Sequence, residues 1–103
     1  MSNPITPEAP GDRPRPEFRT AKHVVGASQA DTTVLLDVER GRYYTLNEVA
    51  GRIWELLGHG ASVPAIVERL GEEYDVPMAT LVTDTGDMIQ RLLEARLIET
   101  EGR

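Results

Sequence analysis

The chain has no cysteine, so no disulfide framework staples it and no thiolate site can hold a metal. His23 and His59 are its only histidines, too few to assemble a zinc centre. With one Phe, one Trp and three Tyr, its core has to be built mainly from aliphatic side chains. No stretch approaches the ~18 apolar residues of a membrane span. The start, "MSNPITPEAPGDRPRPEF", lacks the basic opening and apolar run of a secretory signal. This pattern predicts a cytoplasmic protein with no membrane partner. Basic residues are also scarce, 11 against 17 acidic, for a net charge of -6. Such a field repels a phosphate backbone.

What is present divides into a tail and a domain. Pro4, Pro7, Pro10, Pro14 and Pro16 remove backbone donors and hold the first segment extended. Residues 1–17 are expected to be a disordered Pro-rich tail, with "RPRP" at 13–16 as a candidate ligand for another module. Residues 18–100 are expected to form one domain with a modest core, because a chain of this size buries only about 60–65% of its unfolded surface.

From Phe18 the pattern has period two, first in "FRTAKHVVGASQ" and then in "TTVLLDVERGRYYTLN". Turns at 28–31 and 39–42 divide it into a three-stranded antiparallel meander, with Gly26 as a candidate bulge. The period changes at Asn47, a helix cap, and "GHG" at 58–60 ends that helix. Ser62 caps a second helix with Pro64 in its first turn. A third runs from about Pro77 to Arg96 on an apolar face of Leu81, Thr85, Met88 and Leu92. The closing "LIETE" is either a short strand or a lid on the core. The fold class is α+β, winged-helix-like, in the order β-β-β-α-α-α.

Winged helices commonly read DNA, but a major-groove helix needs a basic face. The third helix carries Asp84, Asp87 and Glu94 against Arg91 and Arg96, so a DNA-binding regulator is the weaker reading and no nucleic-acid partner is expected. Catalysis needs convergent groups with tuned pKa values. His59 lies in a glycine turn, His23 has no carboxylate nearby in sequence, and Asp31, Asp37 and Asp75 fit turns and strand ends. "GHGAS" has neither the Lys nor the spacing of a phosphate loop. No catalytic residue, cofactor or metal is expected.

"RYYTLN" is a different kind of candidate. As the outer strand of a meander it keeps one edge unpaired, and it carries Tyr43, Tyr44, Thr45 and Leu46 with only Arg42 beside them, without the lysines or prolines that usually protect such an edge. With the third helix alongside, edge and helix form a groove able to take an extended peptide as an added strand.

The residues Leu36, Asp37, Gly41, Tyr43, Tyr44, Leu46, Asn47, Ile53, Trp54, Leu56, Leu57, Ile66, Leu70 and Tyr74, with Asp84 ahead of "MIQRLLEARLI", resemble in register the PqqD family of peptide chaperones, the RiPP recognition elements. The resemblance implies a non-catalytic domain that captures the leader of a ribosomally made precursor peptide on its third strand and third helix. Carried over, it makes Arg42, Tyr43, Tyr44, Thr45, Leu46, Thr83, Asp84, Asp87, Met88 and Arg91 the peptide-binding residues. The short, free-standing, acidic form is most similar to the discrete leader-binding proteins of lasso-peptide clusters. Their partners are a cysteine protease that removes the leader and a macrolactam cyclase. The alternative is a chaperone of pyrroloquinoline quinone, or of another such pathway, working with a radical enzyme. A monomer or weak dimer is expected. Pro77 stands where the family often has an Asp cap, and Arg96 where it often has a Gly. Gly86, in mid-helix, serves either close packing or room for a bulky leader side chain.

Overall fold

The computed structural model describes residues 17–100, and the expectations for the Pro-rich tail lie outside them. In chain order the elements are β1 (Phe18–Thr20), β2 (Val24–Gln29), β3 (Thr32–Asp37), β4 (Arg42–Leu46), α1 (Glu48–Gly58), α2 (Val63–Glu73), α3 (Met78–Glu94) and β5 (Ile98–Thr100). β2, β3 and β4 form the antiparallel meander in that order. β1 leaves it and pairs with β5, Arg19 opposite Glu99. The first period-two run is thus two strands, split where Ala21 turns into the core at 2% exposure. "LIETE" supplies the partner strand.

The sheet's inner face and the three helices share one core, with Leu35, Ile53, Leu57, Ile66, Leu70, Leu97 and Ile98 fully buried. The side chains of Asn47 and Ser62 accept hydrogen bonds from the amides of Ala50 (2.9 Å) and Ala65 (3.3 Å), as caps do. Arg52 of α1 grips Glu73 of α2 through two hydrogen bonds of 2.7 and 2.8 Å. That contact holds the Glu73 carboxyl below its ordinary range. Thr85 is fully buried on α3, and its hydroxyl has no hydrogen-bond partner among the described residues.

Gly26 is not a bulge. The β2–β3 register runs unbroken through Gly26 opposite Leu35, and the residue is glycine because α1 lies on it. A Cβ there would stand 3.0 Å from the Trp54 indole nitrogen and 3.2 Å from a Leu35 methyl. Gly86, in contrast, has open space where a Cβ would sit, so close helix packing does not account for it.

α1 and α3 end in the same way with different residues. At α1 the amide of Gly60 donates to Leu57 and that of Ala61 to Leu56; at α3 the amide of Arg96 donates to Leu93 and that of Leu97 to Leu92. Both are Schellman closures, whose pivot residue takes positive φ. Gly60 has φ 84° and Arg96 has φ 62°. A side chain in that region costs about 1 kcal/mol, so Arg96→Gly is expected to stabilise the fold by about 0.5–1 kcal/mol in urea denaturation. A lowered midpoint would instead show that the Arg96 side chain supports the fold.

Candidate functional site

β4 is the last strand of its sheet, and its outer edge is unpaired by any described strand. The register shows which main-chain groups point there. Gln29 and Thr32 flank the two-residue turn at Ala30 (φ 55°) and Asp31, so they form a hydrogen-bonded pair. Antiparallel strands alternate such pairs with open ones. Counting along β3, Thr33, Leu35 and Asp37 therefore direct their backbone to β4, where they meet Leu46, Tyr44 and Arg42. The amides and carbonyls of Tyr43 and Thr45 are left facing the open edge.

Side chains alternate across the faces of the sheet. Leu46 is buried and Tyr44 half-buried against the core, while Tyr43 is 71% exposed on the outer face. Tyr44 is thus the tyrosine that faces the helices.

The β3–β4 turn that positions this edge is organised by Asp37. Its carboxylate is fully buried and accepts the amides of Glu39 and Arg40 at 3.0 Å and the Arg40 guanidinium at 3.1 Å. The Gly41 amide, at φ 67°, donates to the Asp37 carbonyl at 2.7 Å. Burial opposes ionisation of Asp37, but the Arg40 amide, the Arg40 guanidinium, the Glu39 amide and nearby His23 outweigh it and hold its carboxyl below the usual range. A pKa lowered by folding stabilises the native state above the unfolded value of about 4, and the contribution is lost as pH falls through the folded value. Glu73 acts in the same window. The thermal midpoint should therefore fall from about pH 5 downward. Asp37→Asn should lower the midpoint at neutral pH and flatten that acid slope. An unchanged slope would remove Asp37 from the account.

Between β4 and α3 the surface is hollowed along its length. A hollow of about 400 Å³ is lined by Tyr44, Thr45 and Leu46 on one side, by Met88, Arg91, Leu92 and Ala95 on the other, and by Asn47 and Ala50 at the mouth of α1. A second, of about 360 Å³, shares Asn47, Ala50, Met88 and Arg91 and continues past Asp84 and Asp87 to Tyr74 and Val76. A third shares Tyr44 and Ala95 and leads to Arg40, Arg42, Glu94 and Arg96. Shared linings make them one groove, apolar at its centre and bordered by the free edge.

Of the residues expected to bind a peptide, Tyr44, Thr45, Leu46, Asp84, Asp87, Met88 and Arg91 line the first two hollows and Arg42 the third. Tyr43 lies on the outer sheet face and enters through its backbone. Thr83 is exposed on α3 and lines none of the three. Gly86 follows Thr85 by one position, well over 90° around the helix from Arg91, so the groove does not use the space it leaves. Asn47, Ala50, Leu92, Ala95 and Leu97 also line the groove and were not foreseen. Two of them carried a sequence signal, Asn47 as a helix cap and Leu92 as part of the apolar face of α3.

An open, apolar-flanked strand edge beside a helix defines a class: small domains that bind extended peptides by strand addition. The comparisons give the class its family. The family model described as coenzyme PQQ synthesis protein D (PqqD) matches residues 32–98, and the chain belongs to the PqqD family. The fold matches the structure of TbiB1 in complex with the TbiA(β) leader peptide, at 34% identity and TM-score 0.74 over 82% of this chain and 96% of that one. It also matches a lasso peptide synthetase B1 complexed with the leader peptide, at 29% identity and TM-score 0.74 over 81% and 98%. Among curated proteins nothing matches. No helix of the described residues is long and apolar enough to cross a membrane.

Proposed function

We propose that the chain binds the leader segment of a ribosomally made precursor peptide as a fourth strand on β4, seated against α3, in lasso-peptide biosynthesis. The observation that carries this reading is the edge of β4, unpaired by any described strand, opening at Tyr44, Thr45 and Leu46 into the groove. Backbone bonds to Tyr43 and Thr45 supply affinity, and the apolar hollows supply side-chain specificity. Arg42, Tyr44, Leu46, Asp84, Asp87, Met88 and Arg91 contact the peptide's side chains. The domain acts by presenting the leader to a leader peptidase and a macrolactam cyclase, and itself performs no reaction. Two solved neighbours that hold leader peptides support this role.

The test is a titration of fluorescent TbiA(β) leader peptide, with a leader from this protein's own gene neighbourhood in parallel and duplex DNA as the control. Saturable binding to leader with modest salt dependence is expected, and steeply salt-dependent binding to DNA alone would replace the reading with a regulator. The family description favours a second reading, a chaperone in quinone-cofactor synthesis. Tight binding to a precursor from that pathway and none to lasso leaders would select it.

A further inference from the structure

The groove is electrically polar along its length. Asp84 and Asp87 line the hollow at the Leu46 end, and neither has an ion partner among the described residues. Arg42 and Arg96 line the opposite end, likewise without an ion partner among those residues. Arg40 is there too, but it is committed to Asp37 at 3.1 Å. Glu94 offsets one charge at this end, and its carboxylate accepts a 3.3 Å bond from Gln90. In a chain of net charge -6, two guanidiniums without an ion-pair partner among the described residues, and a net positive charge even after Glu94, at one mouth of an apolar groove are a local reversal of the protein's field. Arg91 stands between the two ends.

The geometry points to an occupant that is itself dipolar: a leader segment with an acidic side chain beside Arg42 and Arg96, an apolar middle, and a basic side chain beside Asp84 and Asp87. The inference rests on the leader-binding reading and specifies its substrate class. Two independent lengths set the spacing. β4 from Arg42 to Leu46 spans about 14 Å at ~3.4 Å per residue. α3 from Asp84 to Ala95 spans about 16 Å at ~1.5 Å per residue. An extended peptide crosses that distance in about four to six residues, and side chains entering the same groove are an even number apart. The paired charges also fix direction, because a strand laid the other way places each charge against its like.

The experiment uses the full chain and versions of the TbiA(β) leader, and of the leader from this protein's own gene neighbourhood, in which two positions four or six apart are set to Glu/Lys, Lys/Glu, Glu/Glu, Lys/Lys or Gln/Gln, the pair being moved along the peptide. One dipolar order is expected to bind about threefold tighter per charged end, about tenfold in total, than Gln/Gln. The reverse order should gain nothing, and the advantage should vanish at about 1 M salt. In the Arg42→Glu, Asp84→Arg double variant, which leaves Arg96 opposed by the new glutamate and Asp87 opposed by the new arginine, the preference for that order should be lost. Equal binding of all five versions would overturn the dipolar occupant while leaving leader binding intact. No binding by any version would overturn both.

Discussion

Replacing Thr45 by proline is expected to weaken leader binding by about tenfold to a hundredfold while the domain stays folded. The Thr45 amide faces the open edge of β4, so proline removes no bond to β3. What it removes is a donor for the incoming strand, and its ring stands where that strand must approach. The bound peptide then keeps a buried carbonyl without a partner, at about 1–3 kcal/mol, which sets the expected loss. One residue earlier the outcome reverses. Tyr44 pairs with Leu35 at the centre of the sheet, so Tyr44→Pro breaks the internal ladder and should unfold the hairpin. Circular dichroism melts beside fluorescence anisotropy separate the two. Unchanged leader affinity in a folded Thr45→Pro variant would rule out strand addition at this edge.

Much of this edge was legible in the sequence because the signals that define it are local. Period-two patterning, the turn at Gly41, the Asn47 cap and the uncharged run from Tyr43 to Leu46 are all read within a few residues. Long-range pairing was not legible. β1 bonds to β5 across some eighty positions, and the first strand looked continuous because the departure at Ala21 depends on a core that only the folded chain creates. Gly26 shows the same limit: an isolated strand glycine suggests a bulge, whereas its cause is the Trp54 ring of a helix more than twenty residues away. On α3, helical spacing placed Asp84, Asp87, Met88 and Arg91 on the groove. Spacing alone did not show that Thr83 lies off these hollows, since which flank of α3 meets β4 is decided by the packing of the whole core.

The close seating of α1 on the sheet makes Gly51 the position where a single methyl should do most damage to the fold. A Cβ there would lie only 2.5 Å from the Thr33 hydroxyl oxygen and 3.2 Å from the Thr33 Cβ. Thr33 cannot easily yield, because it is buried at 7% exposure and its hydroxyl shares a 3.0 Å hydrogen bond with Ser28. Rotating it out of the way would give up that hydrogen bond. Alanine should help α1 by about 1 kcal/mol through helix propensity, yet overpacking of this kind costs about 1–3 kcal/mol or more. Gly51→Ala is therefore expected to be destabilising by about 1–2 kcal/mol net. Lifting α1 also displaces Asn47 and Ala50 at the mouth of the groove, so leader affinity should fall with stability. Trimming the obstacle tests the cause. In the Gly51→Ala, Thr33→Ala double variant the 2.5 Å contact is gone, only the 3.2 Å approach of the two Cβ atoms is left, and the helix gain remains, so Gly51→Ala should cost much less than in the wild-type background, a non-additivity that denaturant melts of the four proteins measure. If the two substitutions simply add, the contact between Gly51 and Thr33 is not what sets the distance of α1 from the sheet, and the groove's width has another origin.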